Sequence, residues 1–466
     1  MSGDPREPII YLGLDVAERF IQNERLTFQG FAGLGRHGGA LILLEKESPD
    51  HPGRKMVVKY SYGALAIDKH SNADDDLRNE YNCLKRLRGC EHIVQLIPLA
   101  DCSINIPGVS NGGGQVPQGL SSSITSSGSG IGRILTRGSN APSSASSGIG
   151  RVLTAGSNRA ASGSGGTGRV SAAGQDPGQD PDQPDPQAVP TAENTGGRQC
   201  PTFAVEFLEW GTLHTFRERL IAGGVQRLPS RFLWRIRLCM IRQCAAMAFP
   251  PDHPEDAENI RIEREVLKDR DPVPLTQNSA HHENFVFGEP LDFLGNEHAP
   301  NLPVLKLIDF GRGLVVPPMA CLRQVPEKPL ETGSRVNIYH AARAFILMCN
   351  LNVSEDDFKD EEEYSYRWRA RDGRNYRVRT ICPKFFSNNG YIDQELRTLI
   401  VRCMVERLEN VPSLREMVIE VVRHVEEKGP DHPRLKTAMA SLARDSETNE
   451  TIRQIIQEYI YDAATG

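Results

Sequence analysis

Residues 105–198 form a long segment of Ser, Gly, Pro, Asp and Gln that contains no Phe, Trp or Tyr. A segment of this composition buries too little apolar area to offset the entropy that ordering it would cost. We therefore expect it to be a disordered insert. The folded core must then come from the residues on either side of the insert, at 24–104 and 199–430.

The insert contains a short tandem repeat. Residues 129–136 read SGIGRILT, and residues 147–154 read SGIGRVLT. Each unit has only two or three aliphatic side chains, too few to stack as a solenoid, so we interpret the repeat as a duplication within the disordered segment. Thr136 and Thr154 each follow an arginine by three residues and are candidate acceptor sites for basophilic kinases.

Bulk composition narrows the class of protein. The 466 residues are 39% hydrophobic and 24% charged, and the formal net charge is −6, which argues against nucleic acid or an anionic membrane as the main partner. Ten cysteines without a CxxC pair indicate reduced thiols and an intracellular location, cytoplasmic or nuclear. The N-terminal residues show no apolar signal core, and no run of about 18 apolar residues predicts a membrane span.

Hydrophobic patterning predicts a sheet-rich part followed by a helix-rich part. Short apolar runs predict strands at 26–31, 40–44, 55–60, 94–100 and 203–208. Helical spacing predicts helices at 74–88, 212–222, 230–248, 336–350, 393–407 and 412–427, and two short helices near the C-terminus. The predicted fold class is α+β, a small antiparallel β-sheet part plus a larger helical part, with a site between them.

Two features of the first part have the chemistry of a phosphate site. Gly33, Gly35 and Gly38 fit the pattern G-x-G-x-x-G between two predicted strands, where the absence of a Cβ lets the backbone approach phosphates. Lys59 ends the third predicted strand, and Glu80 on the next helix is its natural counter-ion. Each feature alone has a simpler interpretation. The glycines can form an ordinary turn, and Lys59 and Glu80 can be surface charges.

The most specific motif is the apolar strand 305–308, which ends in Asp-Phe-Gly at 309–311. A buried strand there would deliver the carboxylate of Asp309 to a turn, where it can hold a hard divalent cation through oxygen. Asn284, upstream of that strand, supplies a neutral oxygen for the same purpose. The alternative is a strand followed by a capped turn.

Taken in order, these motifs resemble the eukaryotic protein kinase domain over about residues 24–427, interrupted by the insert at 105–198. The run at 297–303 and Leu233-Trp234 resemble divergent kinase-domain proteins of filamentous fungi. The resemblance implies a two-lobed fold that binds ATP and Mg²⁺. It implies that Lys59, held in place by Glu80, binds the α- and β-phosphates. It also implies that Asn284 and Asp309 bind the metal.

The resemblance also implies a connector between lobes, in which the backbones of Glu206 and Leu208 meet the adenine edge. The domains that follow are an N-terminal extension at 1–23, a kinase-like N-lobe at 24–104 and 199–209, the insert at 105–198, a kinase-like C-lobe at 210–430 and a C-terminal helical extension at 431–466.

The catalytic loop departs from the family pattern at several positions. Ser279 stands where the family has its catalytic Asp, and a Ser hydroxyl does not act as a base near neutral pH without a partner. Asn278 and His281 replace the Arg and Lys of that loop. Asn337 replaces a structural Asp on the supporting helix.

Three hypotheses remain open, and whether the chain is an enzyme depends on them. The first is a pseudokinase that binds ATP with Mg²⁺ and acts as a switch or scaffold for protein partners. The second is a working Ser/Thr kinase in which His281 or His282 is an atypical base. The third is a protein-interaction module whose cleft is closed to nucleotide.

Overall fold

A computed structural model shows that the protein is a mixed α and β fold. It describes residues 7–35, 37–47, 53–63, 73–99, 200–253, 260–289, 302–315, 331–353, 355–358, 363–369, 373–405, 407, 410–429 and 447–464. The insert predicted at 105–198, with Thr136 and Thr154, lies outside these residues. In the described part of the chain, no helix combines the length and apolarity needed to cross a membrane.

A five-stranded antiparallel sheet dominates the first part. Its strands are β1 Leu26–Leu34, β2 Gly38–Glu45, β3 Arg54–Ser61, β4 Leu96–Ile97 and β5 Thr202–Glu206, in the order β1-β2-β3-β5-β4. Burial alternates residue by residue along β2, as expected when one face of a strand packs on a core. β5 pairs with both β3 and β4, so residues from both sides of the insert share one sheet.

The predicted strand at 94–100 is reduced to the two residues of β4. The N–H of Gln95 accounts for part of the difference, because it donates to the side chain of Glu206, 2.8 Å from Oε1, and not to a strand carbonyl. Side-chain bonds of this kind compete with a strand ladder for backbone groups.

Two helices flank the sheet. Helix α1, Glu7–Ile21, lies in the predicted N-terminal extension, for which no secondary structure was predicted, and buries Val16 and Phe20 against sheet residues. Helix α2, Ala73–Arg86, matches the helix predicted at 74–88. Three Asp residues in its first turn complement the positive end of the helix dipole.

The second part is mainly helical. Its helices are α3 Leu213–Ala222, α4 Ser230–Ala248, α5 Thr332–Cys349, α6 Lys384–Ser387, α7 Gln394–Cys403, α8 Leu414–Glu427 and α9 Asn449–Ile456. Every residue of α4 is buried, and this helix packs against α5 and α8. The polypeptide continues after α9 through a π-helical turn at Gln457–Tyr461 and a 3-10 turn at Asp462–Ala464.

Short strand pairs bring the two predicted site segments together. These strands are β6 Leu275–Thr276, β7 Phe285–Gly288, β8 Val304–Leu307 and β9 Leu314–Val315. β7 pairs with β8 with Phe285 opposite Leu307, and β6 pairs with β9. The loop before β7 therefore lies beside the turn after β8.

A separate antiparallel hairpin was not predicted from the sequence. It consists of β10, Tyr364–Arg369, and β11, Asn375–Thr380. Its inner residues Tyr366 and Val378 pack against the main core, and the Tyr366 hydroxyl lies 3.2 Å from Thr398 Oγ1 on α7. The hairpin is thus attached to the helical part along one face.

Residues 260–271 pack on the loop between α2 and β4. Glu91 N–H donates to the carbonyl of Glu263 at 3.1 Å, and Glu263 N–H donates to the carbonyl of Gly89 at 2.7 Å. His92 Nδ1 lies 2.7 Å from Glu265 Oε2 in the same contact, and both side chains are buried. This segment therefore joins the loop after α2 to the residues that follow α4.

Candidate functional site

Lys59 and Glu80 form a buried ion pair, as the sequence predicted. Lys59 Nζ on β3 lies 2.5 Å from Glu80 Oε1 on α2, and the two side chains are 19% and 5% exposed. Burial acts to lower the pKa of Lys59, but the carboxylates of Glu80 and Asp309 together outweigh it, so the pKa is raised. The lysine is therefore held as an ammonium ion, which the negative charge of Asp309 helps to stabilise.

Helix α2 also holds the turn that contains Asp309. Asn79 Nδ2 lies 3.3, 3.0 and 2.7 Å from the carbonyl oxygens of Phe310, Gly311 and Gly313. The Phe310 side chain is fully buried, so its ring anchors the same turn in the core. One amide side chain and one aromatic ring thus fix the turn against the helix that carries Glu80.

Asp309 has a backbone conformation that is uncommon for a residue with a side chain. Its φ is +60°, in the left-handed region, and Asn278 in the neighbouring loop has φ +58°. Such conformations cost free energy and cluster at functional sites. Two bonds support Asp309: its Oδ1 accepts from Gly311 N–H at 3.3 Å, and its carbonyl accepts from Gln277 Nε2 at 2.7 Å.

Asn284 is oriented by bonds to its amide nitrogen. Its Nδ2 donates to the carbonyl of Ser279 at 2.8 Å and lies 3.3 Å from His281 Nε2. The backbone carbonyl of Asn284 accepts from Ile308 N–H at 2.9 Å. Asn284 therefore lies across the strand pair from Ile308, the residue directly before Asp309. Within the described residues nothing donates to Asn284 Oδ1, so this oxygen is available to a cation.

Two further amides support the loop. Asn337 on α5 accepts from Gln277 N–H at 3.1 Å through its Oδ1 and donates to the carbonyl of Leu275 at 2.8 Å through its Nδ2. Asn337, which the resemblance identified as the replacement of a structural Asp, thus holds the loop through its own amide. Gln277, which the sequence reasoning overlooked, also accepts from Ser279 N–H at 2.8 Å. It therefore links α5, Ser279 and Asp309.

The three glycines at the β1–β2 turn, Gly33, Gly35 and Gly38, differ in what surrounds them. A Cβ on Gly38 would lie 2.4 Å from the carbonyl oxygen of Tyr60, so packing within the sheet requires a glycine there. A Cβ on Gly33 would meet no described atom within 4 Å. Gly35 lies between them, and its N–H donates to the carbonyl of Gly38 at 2.9 Å to close the turn. Gly33 is therefore not explained by the packing of the described residues.

Glu206 and Leu208 lie beside β7 and β8. Glu206 Oε1 is 2.6 Å from Lys306 Nζ and accepts from Gln95 N–H at 2.8 Å. Leu208 is close to β7, since a Cβ on Gly288 would be 3.1 Å from Leu208 Cδ2. The assignment of the two backbones to an adenine edge stays a prediction.

The two histidines near Ser279 have different surroundings. His282 is buried, with its Nε2 2.7 Å from His214 Nδ1. His281 is partly exposed, beside Asn284, with its Nδ1 3.8 Å from Glu283 Oε2. In the described part of the chain no base bonds to the Ser279 hydroxyl, so that hydroxyl has no group to accept its proton.

A second group of potential metal ligands lies on the loop after α2. The ligand atoms of Glu91, His92 and Glu265 are within 4.8 Å of one another. They are already paired, since His92 Nδ1 contacts Glu265 and Arg264 Nε lies 3.5 Å from Glu91 Oε2. Burial disfavours the imidazolium, but Glu265 and the neighbouring Cys239 outweigh that effect and raise the pKa of His92 to about 10. We interpret the group as a charge-balanced structural contact.

Comparison with known proteins adds no assignment. The sequence matches no protein-family model, and no curated protein matches it.

Proposed function

We propose that this chain is a two-lobed, protein kinase-like nucleotide-binding protein that binds ATP with Mg²⁺ and lacks efficient phosphotransfer. The observation that carries the proposal is the buried pair of Lys59 and Glu80, together with Asp309 close enough to raise the pKa of that lysine. A buried cation beside an acidic turn suits a ligand that contains both phosphate and a divalent metal.

Lys59 and the glycine turn are the groups we assign to phosphate. Glu80 keeps the Lys59 ammonium fixed and charged, so the phosphates meet a preorganised donor. A Cβ on Gly33 would meet no described atom within 4 Å, so the space beside this glycine is open to a phosphate group.

Asn284 and Asp309 are the groups we assign to the metal. Asn284 offers Oδ1, and Asp309 offers a carboxylate on a backbone that Gln277 and Asn79 hold in place. Oxygen ligands of this kind are those that Mg²⁺ prefers, and Mg²⁺ usually binds through one or two protein groups plus phosphate oxygens and water.

The absence of a base at residue 279 is the reason we propose weak or no transfer. General acid–base help is worth roughly 10²–10⁴-fold in rate. Positioning and charge stabilisation by Lys59, Asn284 and Asp309 would remain, so slow transfer is compatible with the proposal.

The alternative of an active Ser/Thr kinase has one observation in its favour. His281 lies next to Asn284, with the carboxylate of Glu283 3.8 Å from its Nδ1, which is an arrangement that can orient an imidazole base. His282, the other candidate, is engaged with His214. If transfer occurs, we expect His281→Ala to abolish it and His282→Ala to leave it in place.

A titration of a fluorescent ATP analogue into the full chain tests binding. We expect saturable binding that strengthens on adding Mg²⁺, and loss of at least about tenfold in affinity in Lys59→Ala, because a charge-assisted hydrogen bond to phosphate is lost. Asp309→Ala should remove the Mg²⁺ dependence and keep binding in EDTA.

Lys55→Ala is the matched control, since Lys55 lies on the same strand but is 46% exposed and pairs with Glu209. It should bind like the unmodified chain. If no binding is seen at millimolar nucleotide, with or without Mg²⁺, the binding proposal is wrong. The remaining hypothesis is then an interaction module with a closed cleft.

A further inference from the structure

The C-terminal segment, residues 447–464, ends beside the connector that joins the sheet-rich part to the helical part. It runs from Glu447 through helix α9 and finishes in the turns Gln457–Tyr461 and Asp462–Ala464. None of the groups assigned to ATP or Mg²⁺ lies on this segment, so the proposed function does not account for its contacts.

Glu447 attaches the start of the segment to helix α4. Its Oε1 accepts from Ser230 N–H at 2.6 Å, and its Oε2 accepts from Arg231 N–H at 3.0 Å. A carboxylate is favourable there because the first N–H groups of a helix have no partner within the helix and carry partial positive charge. Arg231 Nη1 completes the contact by donating to the carbonyl of Glu447 at 2.7 Å.

Three isoleucines attach the rest of the segment. Ile452, Ile456 and Ile460 are buried in the main core. They follow one another at a spacing of four residues, which places them on one face of a helix. Together with Glu447, they give the last turn of the segment defined neighbours.

The aromatic ring of Tyr461, in that last turn, lies on the connector. The rings of Tyr461 and Trp210 meet edge to face, with centroids 4.6 Å apart and planes at 76°. This is a favourable geometry for an aromatic pair. Among the described residues, nothing forms a hydrogen bond with the buried Nε1 of Trp210, so packing against rings such as that of Tyr461 fixes the indole.

The connector, residues 206–211, is tied to the fold at its two ends. Glu206 Oε1 lies 2.6 Å from the ammonium of a lysine on β8. The carbonyl of Gly211 accepts from Phe287 N–H at 2.9 Å. Between these ends, Leu208 lies against β7. The stretch between the two ends depends on side-chain contacts for its position, and Trp210 belongs to that stretch.

Tyr461 also lies near the end of β7. Burial raises the pKa of its hydroxyl, and the charge of Glu289, the residue directly after β7, adds to this effect. The ring of Tyr461 therefore touches the connector, while its hydroxyl is within the electrostatic reach of the carboxylate that follows β7. Leu208 packs against the same strand, so Tyr461 and Leu208 share their surroundings.

We propose that Tyr461 is a positioning residue for base recognition, because its ring fixes Trp210 next to the backbones predicted to bind the adenine edge. Those backbones belong to Glu206 and Leu208, and the inference rests on the proposed ATP site. Adenine carries an exocyclic amine that donates where guanine carries an oxygen that accepts. A connector that shifts would lose this distinction, while the contacts of the triphosphate with Lys59 would remain.

Calorimetric titrations of the full chain with MgATP and with MgGTP test this role. The two nucleotides share ribose, triphosphate and metal, so the ratio of their affinities reports on the base. We expect the unmodified chain to bind ATP at least about tenfold more tightly than GTP. In Tyr461→Ala, ATP affinity should fall about fivefold or more and GTP affinity should stay within about twofold, because only the aromatic pair is lost.

Two further variants separate this role from packing in general. Tyr461→Phe keeps the ring and should keep the preference for ATP. Tyr459→Ala alters the same turn, but Tyr459 lies against Gly223 at the end of α3, so this variant should also keep the preference. Trp210→Leu removes the other ring of the pair and should reproduce the effect of Tyr461→Ala. Thermal unfolding of each variant shows whether the fold is retained.

The outcomes distinguish a failure of this inference from a failure of the ATP site. If the unmodified chain binds neither nucleotide, the proposed ATP site is wrong and the role of Tyr461 is wrong with it. If ATP binds but GTP binds equally well, or if Tyr461→Ala keeps the full preference for ATP, only the role of Tyr461 is wrong. Equal losses of ATP and GTP affinity in Tyr461→Ala would show a purely structural contact and would also overturn the inference.

Discussion

At the scale of single residues, amide side chains organise the candidate site. Gln277, Asn337, Asn284 and Asn79 each bond to backbone groups of the loop or of the turn at Asp309. The sequence was enough to single out Lys59, Asp309 and Asn284, because a lysine, a carboxylate and an amide can be recognised by residue type and by their order along the chain. The role of Gln277 depends on its 2.7 Å contact with the carbonyl of Asp309, which no local pattern encodes.

Replacing Asn337 by Asp should destabilise the protein. The Asn337 amide nitrogen donates to the carbonyl of Leu275, and a carboxylate oxygen there would face that carbonyl without a proton. Leaving a buried group unpaired costs about 1–3 kcal/mol. Urea unfolding of Asn337→Asp should show this loss, while the same change at exposed Asn375 should have little effect. Equal stability of the two variants would mean that the Leu275 contact contributes nothing.

The buried pair of His92 and Glu265 predicts a pH dependence of stability. The pKa of His92 is raised to about 10 in the folded protein, above its ordinary value of 6.5. The stabilisation is therefore fully present below about pH 6.5 and is lost as the pH rises through about 10, because the unfolded histidine releases its proton first.

We expect His92→Gln to cost roughly 2–4 kcal/mol of unfolding free energy near pH 6 and clearly less near pH 9.5. Urea denaturation of both proteins at the two pH values measures this difference. A cost that is the same at both pH values would show that His92 is not charged in the folded protein.

At the scale of elements, the spacing of apolar residues along the chain predicted most of the helices but not the β10–β11 hairpin. Helix α4 was predicted at 230–248 and spans those residues. The hairpin had local signals, an alternation from Tyr364 to Arg369 and the turn pair Asp372-Gly373. It was missed because arginines alternate with Tyr and Trp, and not with the aliphatic residues of a buried strand.

The bond network between α2 and the Asp309 turn predicts a specific effect on metal binding. Asn79→Ala removes the amide that lies against three carbonyls of the turn, each hydrogen bond being worth about 1 kcal/mol. We expect the Mg²⁺-dependent part of ATP affinity to fall about tenfold, because the carboxylate of Asp309 loses its orientation. Affinity measured in EDTA should change little.

Asp75→Ala, at an exposed position on the same helix, is the control for this variant. It should retain the affinity and the Mg²⁺ dependence of the unmodified chain. An unchanged Mg²⁺ dependence in Asn79→Ala would show that the turn at Asp309 does not rely on α2.

At the scale of the whole molecule, contacts distant in sequence connect the sheet to the helical part. Lys306 on β8 pairs with Glu206 at the end of β5, and residues 260–271 pack on the loop after α2. The sequence predicted a sheet-rich part and a helix-rich part because both have local periodicity. It did not predict how residues 260–271 dock, since that depends on backbone bonds between segments some 170 residues apart, such as Glu91 with Glu263.

The central claim is that the site retains its binding groups and lacks a base at Ser279. The most direct measurement is transfer of labelled γ-phosphate from MgATP, to water and to the chain itself, by the unmodified protein and by Ser279→Asp. We predict little or no transfer by the unmodified protein and a gain in rate of roughly 10²-fold or more in the variant, because a carboxylate base is supplied beside Asn284. Efficient transfer by the unmodified protein, with no gain in Ser279→Asp, would contradict the account.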